Sequence, residues 1–197
     1  MTVTIYSVTF DDDEDPNLAS KAKLLFKGYC DELNEEHGCD LSFQSFQAEL
    51  DNLPGKFAFD SKGGLWVAGH EDDREDGEVV TVAPGGMLPG GKSIDASSIV
   101  GVVALKLIEG DSVGEVKRMF VNKDGRRKGI GEALMRVLLE YAKGKHYSEI
   151  KLDSLERLGA ALALYEKFGF KRCEKYVECP EADHVCLSLK LAAEATG

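Results

Sequence analysis

The segment from Gly114 to Lys145 constrains the fold of this 197-residue chain more than any other part of it. An apolar run, GEVKRMFVN, is followed by the turn KDGRRKG and then by IGEALMRVLLEYAKGK. Apolar residues recur in that last stretch at helical spacing: Ile130, Leu134, Val137, Leu138 and Tyr141. The pattern predicts a strand, a glycine-rich basic turn and an amphipathic helix, which favours a mixed α/β sheet with helices on its faces.

The remainder of the chain supplies more elements of both kinds. Strands are predicted at TVTIYSVTF, LWVAGH, IVGVVALKLIEG, SEIKLDS, FKRCEKYVE and HVCLSLKLA, with one short strand at Glu78–Val82. Helices are predicted over NLASKAKLLFKGYCDELNEEHG, LSFQSFQAELDNLPG and LGAALALYEKF. Segment 71–97 is rich in acidic residues, glycine and proline. It indicates a loop insertion, either a solvated loop or a lid on the substrate side, within one domain spanning residues 1–197.

Composition narrows the class of protein. No apolar run approaches the roughly 20 residues of a membrane span, and the N-terminus lacks the features of a signal peptide. The five cysteines are dispersed without C-x-x-C spacing, and the four histidines form no metal-ligand motif. We therefore expect a cytoplasmic protein, with the nucleus not excluded, that binds no metal and no membrane and is a monomer or a homodimer.

The distribution of charge is uneven along the chain. The net charge is −11, which disfavours nucleic acid as a partner. From Glu115 to Lys175, however, 15 Lys and Arg stand against 9 Asp and Glu. A basic segment in an acidic protein favours an anionic ligand there and a cationic ligand nearby, although solvated surface charge is the alternative.

The turn GRRKGIG, Gly125–Gly131, has the features of an anion site. The first N–H groups of a helix have no partner within it, and the helix dipole places positive charge there. Arg126, Arg127 and Lys128 add positive charge. The spacing does not match the phosphate loop G-x-x-x-x-G-K-S/T. It also fails the dinucleotide pattern G-x-G-x-x-G, because Leu134 stands at the last glycine position.

Two motifs together carry a family resemblance. Arg126–Gly131 fits R/Q-x-x-G-x-G/A, and ALALYEKFGFKRCEKY is similar to A-x-x-L-Y-x-x-x-G-F. At this separation they resemble the GCN5-related N-acetyltransferases (GNAT), from about Glu115 to Tyr176 and more weakly over the whole chain. The resemblance implies a mixed, mostly antiparallel central sheet that is split between two parallel strands, with helices on both faces. It also implies direct transfer of an acetyl group from acetyl-CoA to a primary amine.

The resemblance implies specific cofactor contacts. Main-chain groups of Met119, Phe120 and Val121 would hold the pantetheine, and the basic turn with the start of its helix would hold the pyrophosphate. The residues implied are Met119, Phe120, Val121, Arg126, Arg127, Lys128, Gly129, Ile130, Gly131, Glu132 and Ser154. Leu158 stands where family members often carry a cofactor-binding Asn, and Asp153 or Ser154 are the candidates to replace it.

Two side chains are candidates for proton transfer. Tyr165 occupies the tyrosine position of the family and could protonate the departing thiolate; its alternative role is packing in its helix. Glu115 lies at the offset of a glutamate that histone-acetylating members use as a base. Its alternative is a salt bridge, for example to Lys117 on the same strand face. No cysteine has a histidine arrangement that supports a covalent route.

The acceptor is expected to meet the N-terminal helices and the loops near the last strands. Those helices are acidic there, with Asp31, Glu32, Glu35, Glu36, Glu49 and Asp51. A negative field would concentrate a polyamine, a lysine side chain or a basic peptide N-terminus, whereas the same residues could serve solubility alone. A non-catalytic acyl-CoA-binding regulatory domain is the alternative function.

Overall fold

The computed structural model describes residues 2–8, 16–41, 45–71, 79–82 and 96–191. Within these ranges the strands are β1 (Thr2–Ser7), β2 (Gly64–Glu71), β3 (Val79–Val82), β4 (Ile99–Glu109), β5 (Val113–Val121), β6 (Glu149–Leu155), β7 (Lys171–Cys173) and β8 (His184–Lys190). The helices are α1 (Pro16–His37), α2 (Phe46–Asp51), α3 (Ile130–Gly144) and α4 (Gly159–Lys167). Short 3-10 turns connect several of them.

All eight described strands belong to one sheet, in the order β3-β1-β2-β4-β5-β6-β8-β7. The pairs β1–β3 and β5–β6 are parallel, and the other pairs are antiparallel. The predicted mixed, mostly antiparallel sheet is confirmed.

Helices cover both faces of this sheet, as predicted. On one face, Ile130, Leu134 and Leu138 of α3 are buried against the central strands. On the other, Leu25 and Phe26 of α1 lie in a second buried cluster. The spacing of the apolar residues along α1 and α3 therefore determines which face of each helix is buried.

The two central parallel strands separate along their length. β5 and β6 pair only from Val113↔Glu149 to Glu115↔Lys151. Beyond that point β5 stays paired with β4, and β6 stays paired with β8. A bulge in β5 marks the split, because Val102 and Ala104 of β4 are opposite Phe120 and Lys117, leaving an extra residue between them. Arg118 lies at this bulge with φ 55°.

Two predicted elements differ in extent from the observed ones. The strand predicted for FKRCEKYVE is limited to β7, because the chain leaves the sheet after Cys173 and the Tyr176 hydroxyl donates to Glu115. The second helix covers only Phe46–Asp51. The short strand expected at Glu78–Val82 is present as β3, whereas most of the predicted 71–97 insertion lies outside the described residues.

Within the described residues, none of the helices combines the length and the apolar character needed to cross a membrane.

Gly101 of β4 lies under the start of α3, and this contact generates a stability prediction. A Cβ atom there would lie 2.8 Å from Ile130 Cγ2 and 3.1 Å from Leu134 Cδ1. We expect Gly101→Ala to destabilise the protein by about 1–3 kcal/mol, since overpacking displaces both side chains. Urea denaturation measures the change.

Gly144→Ala is the matched control, because a Cβ at this helix position meets nothing within 4 Å. It should leave the free energy of unfolding equal or raise it by up to about 1 kcal/mol through helix propensity. Equal stability of the two variants would contradict the packing argument.

Candidate active site

A cleft opens where β5 and β6 separate. Residues of β5, β6, α1, α4 and the segments that adjoin them line this cleft. They are Tyr29, Leu33, Cys39, Leu41, Val116–Met119, Asp153–Leu155, Leu158, Ala161, Tyr165 and Cys179. The structure thus brings together segments that are up to 150 residues apart in the sequence.

Tyr165 lies in the wall of the cleft, on α4. It is 6% exposed and packs edge-on against Phe170, with ring centroids 6.1 Å apart. Burial raises the pKa of its phenol far above the ordinary value. The hydroxyl therefore carries its proton across the physiological pH range, which suits a donor. The packing role that the sequence left open is also present.

Glu115 is 1% exposed and lies within an ion-pair cluster. Lys106 Nζ is 2.6 Å and Lys117 Nζ 3.7 Å from its carboxylate, and the Tyr176 hydroxyl donates to it at 2.9 Å. The salt bridge to Lys117, the alternative left open by the sequence, is present. Glu115 is not among the residues that line the cleft, and its role as a base stays a prediction.

The basic turn has a main-chain conformation that depends on its glycines. Asn122 caps the preceding 3-10 turn by accepting from the Gly125 N–H at 3.1 Å. A Cβ at Gly125 would lie 2.6 Å from Val100 Cγ2. Arg127 and Gly129 have φ of 62° and 73°, and α3 begins directly afterwards at Ile130. The turn thus leads into a helix whose first N–H groups have no partner within the helix.

Acidic residues of α1 lie against this turn. Arg126 pairs with Glu32 and also donates from Nε to the Val121 carbonyl at 3.0 Å. Lys123 pairs with Glu36 at 2.7 Å. The acidic helix and the basic turn, which the sequence analysis assigned to two different ligands, therefore partly neutralise each other.

Two buried ion pairs lie at the cleft. Lys117 Nζ donates to Asp153 Oδ1 at 2.8 Å, and both side chains are largely buried. Burial disfavours the charge of each, but their mutual attraction, together with Glu115 for the lysine, raises the pKa of Lys117 and lowers that of Asp153. Both groups are therefore charged at neutral pH.

Arg118 forms the second pair, with Glu49 of α2. Its Nε donates to Glu49 Oε1 at 2.6 Å, and its guanidinium lies over the rings of Phe46 at 5.1 Å and Tyr29 at 5.8 Å. Lys56 contacts the other carboxylate oxygen at 2.6 Å. Sequence reasoning assigned no role to Arg118 or Tyr29, since neither lies in a motif and only the bulge turns Arg118 toward α2.

The cofactor residues implied by the sequence fall into two groups. Met119 and Ser154 line the cleft on opposite sides of the split, whereas Phe120 and Val121, the last residues of β5, are not among the residues that line it. The residues from Arg126 to Glu132 form the turn and the first helical residues beyond the end of β5. Leu158, at the position of the family Asn, lines the cleft as an apolar side chain between Asp153–Leu155 and α4.

Comparison with known proteins fits this geometry. The sequence profile of a family described as "Acetyltransferase (GNAT) domain" matches residues 93–172, which include both motifs, β5, β6 and Tyr165. Over these residues the chain matches the GNAT superfamily of acetyltransferases. The predicted family and its enzyme class are thereby confirmed.

Relatives of this GNAT protein include other acetyltransferases. An uncharacterized N-acetyltransferase of Schizosaccharomyces pombe is 27% identical over 167 residues, 85% of this chain and 87% of the relative. The N-acetylaspartate synthetase of Xenopus tropicalis is 47% identical over 73 residues, 37% of this chain and 27% of that protein.

Solved structures share the fold at low sequence identity. A GNAT acetyltransferase from Staphylococcus aureus superimposes with a TM-score of 0.64 at 18% identity, over 95% of this chain and 99% of that one. The PaiA N-acetyltransferase of Thermoplasma acidophilum, solved in complex with coenzyme A, gives 0.60 at 17% identity, over 97% and 100% of the chains.

Glu49 generates a prediction for acid stability. Burial raises the pKa of its carboxyl, but the hydrogen bonds and charges of Arg118 and Lys56 outweigh burial and lower it. A lowered pKa stabilises the folded state above the ordinary value of the group, and this contribution is lost as pH falls through the folded value. Between about pH 5 and pH 3.5, Glu49→Gln should therefore lose less stability than the wild type, by on the order of 1 kcal/mol.

Urea denaturation at several pH values measures this difference. Glu35→Gln is the control, because Glu35 is an exposed residue of α1. Its stability should fall with pH as the wild type does. An identical acid dependence in Glu49→Gln and the wild type would show that the pair with Arg118 does not hold this carboxylate ionised.

Proposed function

We propose that this enzyme transfers the acetyl group of acetyl-CoA directly to the primary amine of a small molecule or a peptide. The observation that carries the proposal is the split between β5 and β6, which opens beside a glycine-rich basic turn and ends in a cleft lined by Tyr165. An N-acyltransferase needs these three parts: a slot for an extended amide-containing arm, an anion site and a proton donor.

The slot and the turn fit coenzyme A by their chemistry. Beyond Glu115, the edge of β5 that faces β6 is not paired with β6. Main-chain groups around Met119–Val121 could therefore pair with the amides of pantetheine. The turn Arg126–Gly131 offers helix N–H groups and basic side chains for the pyrophosphate. Ser154 and the start of α3 at Glu132 would complete these contacts.

Tyr165 is the proposed general acid. It lies in the cleft, and its phenol is protonated at neutral pH, as a donor to the leaving thiolate has to be. Glu115 stays a candidate base, although its present partners are Lys106, Lys117 and Tyr176.

The pyrophosphate assignment predicts the effect of a side chain at Gly129. The backbone there has φ 73°, and a Cβ would meet no protein atom within 4 Å, so the space beside it is available to a ligand. Gly129→Val should weaken CoA binding at least tenfold from a wild-type Kd of about 1 µM, because the side chain would occupy the phosphate position. Isothermal titration calorimetry measures the affinity.

Gly110→Val is the matched control for backbone strain. Gly110 also has positive φ, 51°, and a Cβ there also meets nothing within 4 Å, but it lies in the turn between β4 and β5. This variant should bind CoA as the wild type does. Unchanged CoA binding by a folded Gly129→Val protein would place the pyrophosphate elsewhere.

We propose a cationic amine as the acceptor, such as a polyamine, a lysine side chain or a basic peptide N-terminus. Glu35 and Asp51 are exposed on the N-terminal helices, and Asp153 carries a carboxylate into the cleft. These charges would attract an ammonium group and orient it toward the split.

A carboxylate-bearing amino acid is the second candidate acceptor. Lys117 and Arg118 place two buried cations in the cleft wall, and N-acetylaspartate synthetases are among the relatives over part of the chain. Lys and Arg side chains bind carboxylates through charge-assisted hydrogen bonds, which are stronger than hydrogen bonds between neutral groups.

An amine panel separates the candidates and tests the function itself. Purified enzyme is given acetyl-CoA and, in turn, spermidine, a lysyl peptide and L-aspartate, and free thiol is measured. With acetyl-CoA saturating, the KM for a cationic acceptor should rise with salt and in the double variant Glu35→Gln/Asp51→Asn. The KM for acetyl-CoA should be unchanged by the double variant, which leaves the pair between Glu36 and Lys123 of the basic turn intact.

Two other outcomes have defined meanings. Turnover of aspartate with no turnover of the cationic amines would support the second candidate. CoA binding without thiol release from any amine would contradict the catalytic proposal and favour an acyl-CoA-binding regulatory domain.

A further inference from the structure

A histidine outside every sequence motif lies next to the cleft. His184, the first residue of β8, has a side chain that is 1% exposed, and its Nε2 is 3.5 Å from Asp153 Oδ2. Within the described part of the chain, neither ring nitrogen has a hydrogen-bond partner. A buried imidazole without partners is costly, so its presence calls for an explanation.

Asp153 connects this histidine to the cleft. It lies on β6, where the split from β5 is open, and among the described residues that line the cleft it carries the single carboxylate. One of its oxygens accepts from Lys117 and the other faces His184. An ammonium group in the cleft would meet this carboxylate first.

We propose that Asp153 and His184 form the proton-accepting pair of the reaction, with Asp153 taking the proton of the acceptor ammonium and passing it to His184 Nε2. This inference rests on the proposed function, since it assigns the base for acetyl transfer to an amine. Asp153 is the catalytic residue, and His184 acts through it as a positioning residue.

The proton and electron changes balance. The ammonium N–H bond breaks, directly or through one water, and the proton travels through Asp153 to the imidazole, which becomes a cation beside the Asp153 carboxylate. The freed nitrogen lone pair forms the amide bond as the thioester C–S bond breaks, and Tyr165 protonates the departing sulfur. The second proton that the nitrogen loses restores the Tyr165 hydroxyl, and the imidazolium later returns its proton to solvent.

The distance of 3.5 Å fits a resting state. Catalytic hydrogen bonds are often long before substrate binds and shorten in the reacting complex. With no other hydrogen-bond partner among the described residues, the imidazole has room to shift toward Asp153.

Several charged or titratable groups surround this pair and belong in any account of its pH dependence. Lys117 pairs with Asp153 directly, and Glu115 pairs with Lys117. The others near Asp153 are Arg118 on β5, Tyr29 on α1, Tyr165 on α4, Cys186 on β8, and Tyr176 and Cys179 in the segment before β8. Asp183 and Glu181, which precede His184 in the chain, are paired with Arg157.

The pair is better placed for this role than Glu115. The carboxylate of Glu115 is held by two lysines and a tyrosine and does not line the cleft. Asp153 lines the cleft, and it has beside it the imidazole of His184, which can store the proton. A base needs both access to the substrate and a place for the proton.

The test is the pH dependence of kcat/KM for the acceptor, with the best amine from the panel and saturating acetyl-CoA. Asp153→Asn should lower kcat/KM about 100-fold near pH 7. The deficit should shrink as the pH approaches about 10, where the amine is already neutral in solution. The acetyl-CoA KM should be unchanged, which separates loss of the base from a distorted cleft.

His184→Gln tests the second member. The glutamine amide is polar and can donate to Asp153, but it cannot take up a proton. We expect a loss of about tenfold or more near pH 7 with the same recovery at high pH. Val185→Ala, at the neighbouring position of β8, is the control and should keep the wild-type pH profile.

The possible outcomes are separable. A wild-type pH profile in Asp153→Asn, or in His184→Gln, overturns the pair. The pair is also overturned if Glu115→Gln is the one variant in which kcat/KM falls at pH 7 and recovers at high pH, since Glu115 would then be the base. Failure of the wild type to release thiol with every amine would instead contradict the proposed function.

Discussion

The architecture of this enzyme depends on where the pairing of β5 with β6 ends. Parallel strands normally pair along their length, and each unpaired backbone group that is buried costs free energy. Here the pairing stops at Glu115↔Lys151; beyond it β5 remains paired with β4, with a bulge at Arg118, and β6 remains paired with β8. The resulting gap lies in the middle of an otherwise continuous sheet, and there the facing edges of β5 and β6 are not paired with each other.

The buried charges of the cleft are organised around this gap. β5 carries Lys117 and Arg118 into it, and each is held by a carboxylate from a different element: Asp153 of β6 and Glu49 of α2. Breaking such a buried pair is expensive because it leaves an uncompensated charge. These pairs therefore fix the positions of β6 and α2 relative to β5 and make the polar wall of the cleft rigid.

The basic turn uses exposed charges, which behave differently. Arg126 and Lys123 of this turn face Glu32 and Glu36 of α1 across a solvent-accessible boundary. Exposed pairs contribute little free energy and are easily exchanged. If the turn binds pyrophosphate, as proposed, a phosphate could replace these carboxylates at small cost, and the acidic α1, which only partly neutralises the turn, would not close it to an anion.

The sequence alone determined the family and most of the fold. Two features identified the family: the strand, turn and helix around Gly125–Gly131, and the Tyr165 motif. Both can be recognised in the sequence because backbone conformation, helix dipole and apolar spacing depend on residues that are close together in the chain. For the same reason α3, β4 and β6 were predicted nearly to their observed ends. β7 was predicted too long, since the alternation continues past Cys173 although the chain does not remain in the sheet.

Only the tertiary structure decided which charges meet. Glu115 had two possible roles in the sequence, and its partner Lys106 lies on the adjacent strand, where only strand register could bring it. Arg118 with Glu49, and Asp153 with His184, are joined across 69 and 31 positions of chain. No periodicity links residues at such separations, because their contact depends on a bulge and on the order of strands in the sheet. The sequence therefore determines which charged side chains are present, whereas the tertiary structure determines how they pair and how deeply they are buried, and these two properties control their chemistry.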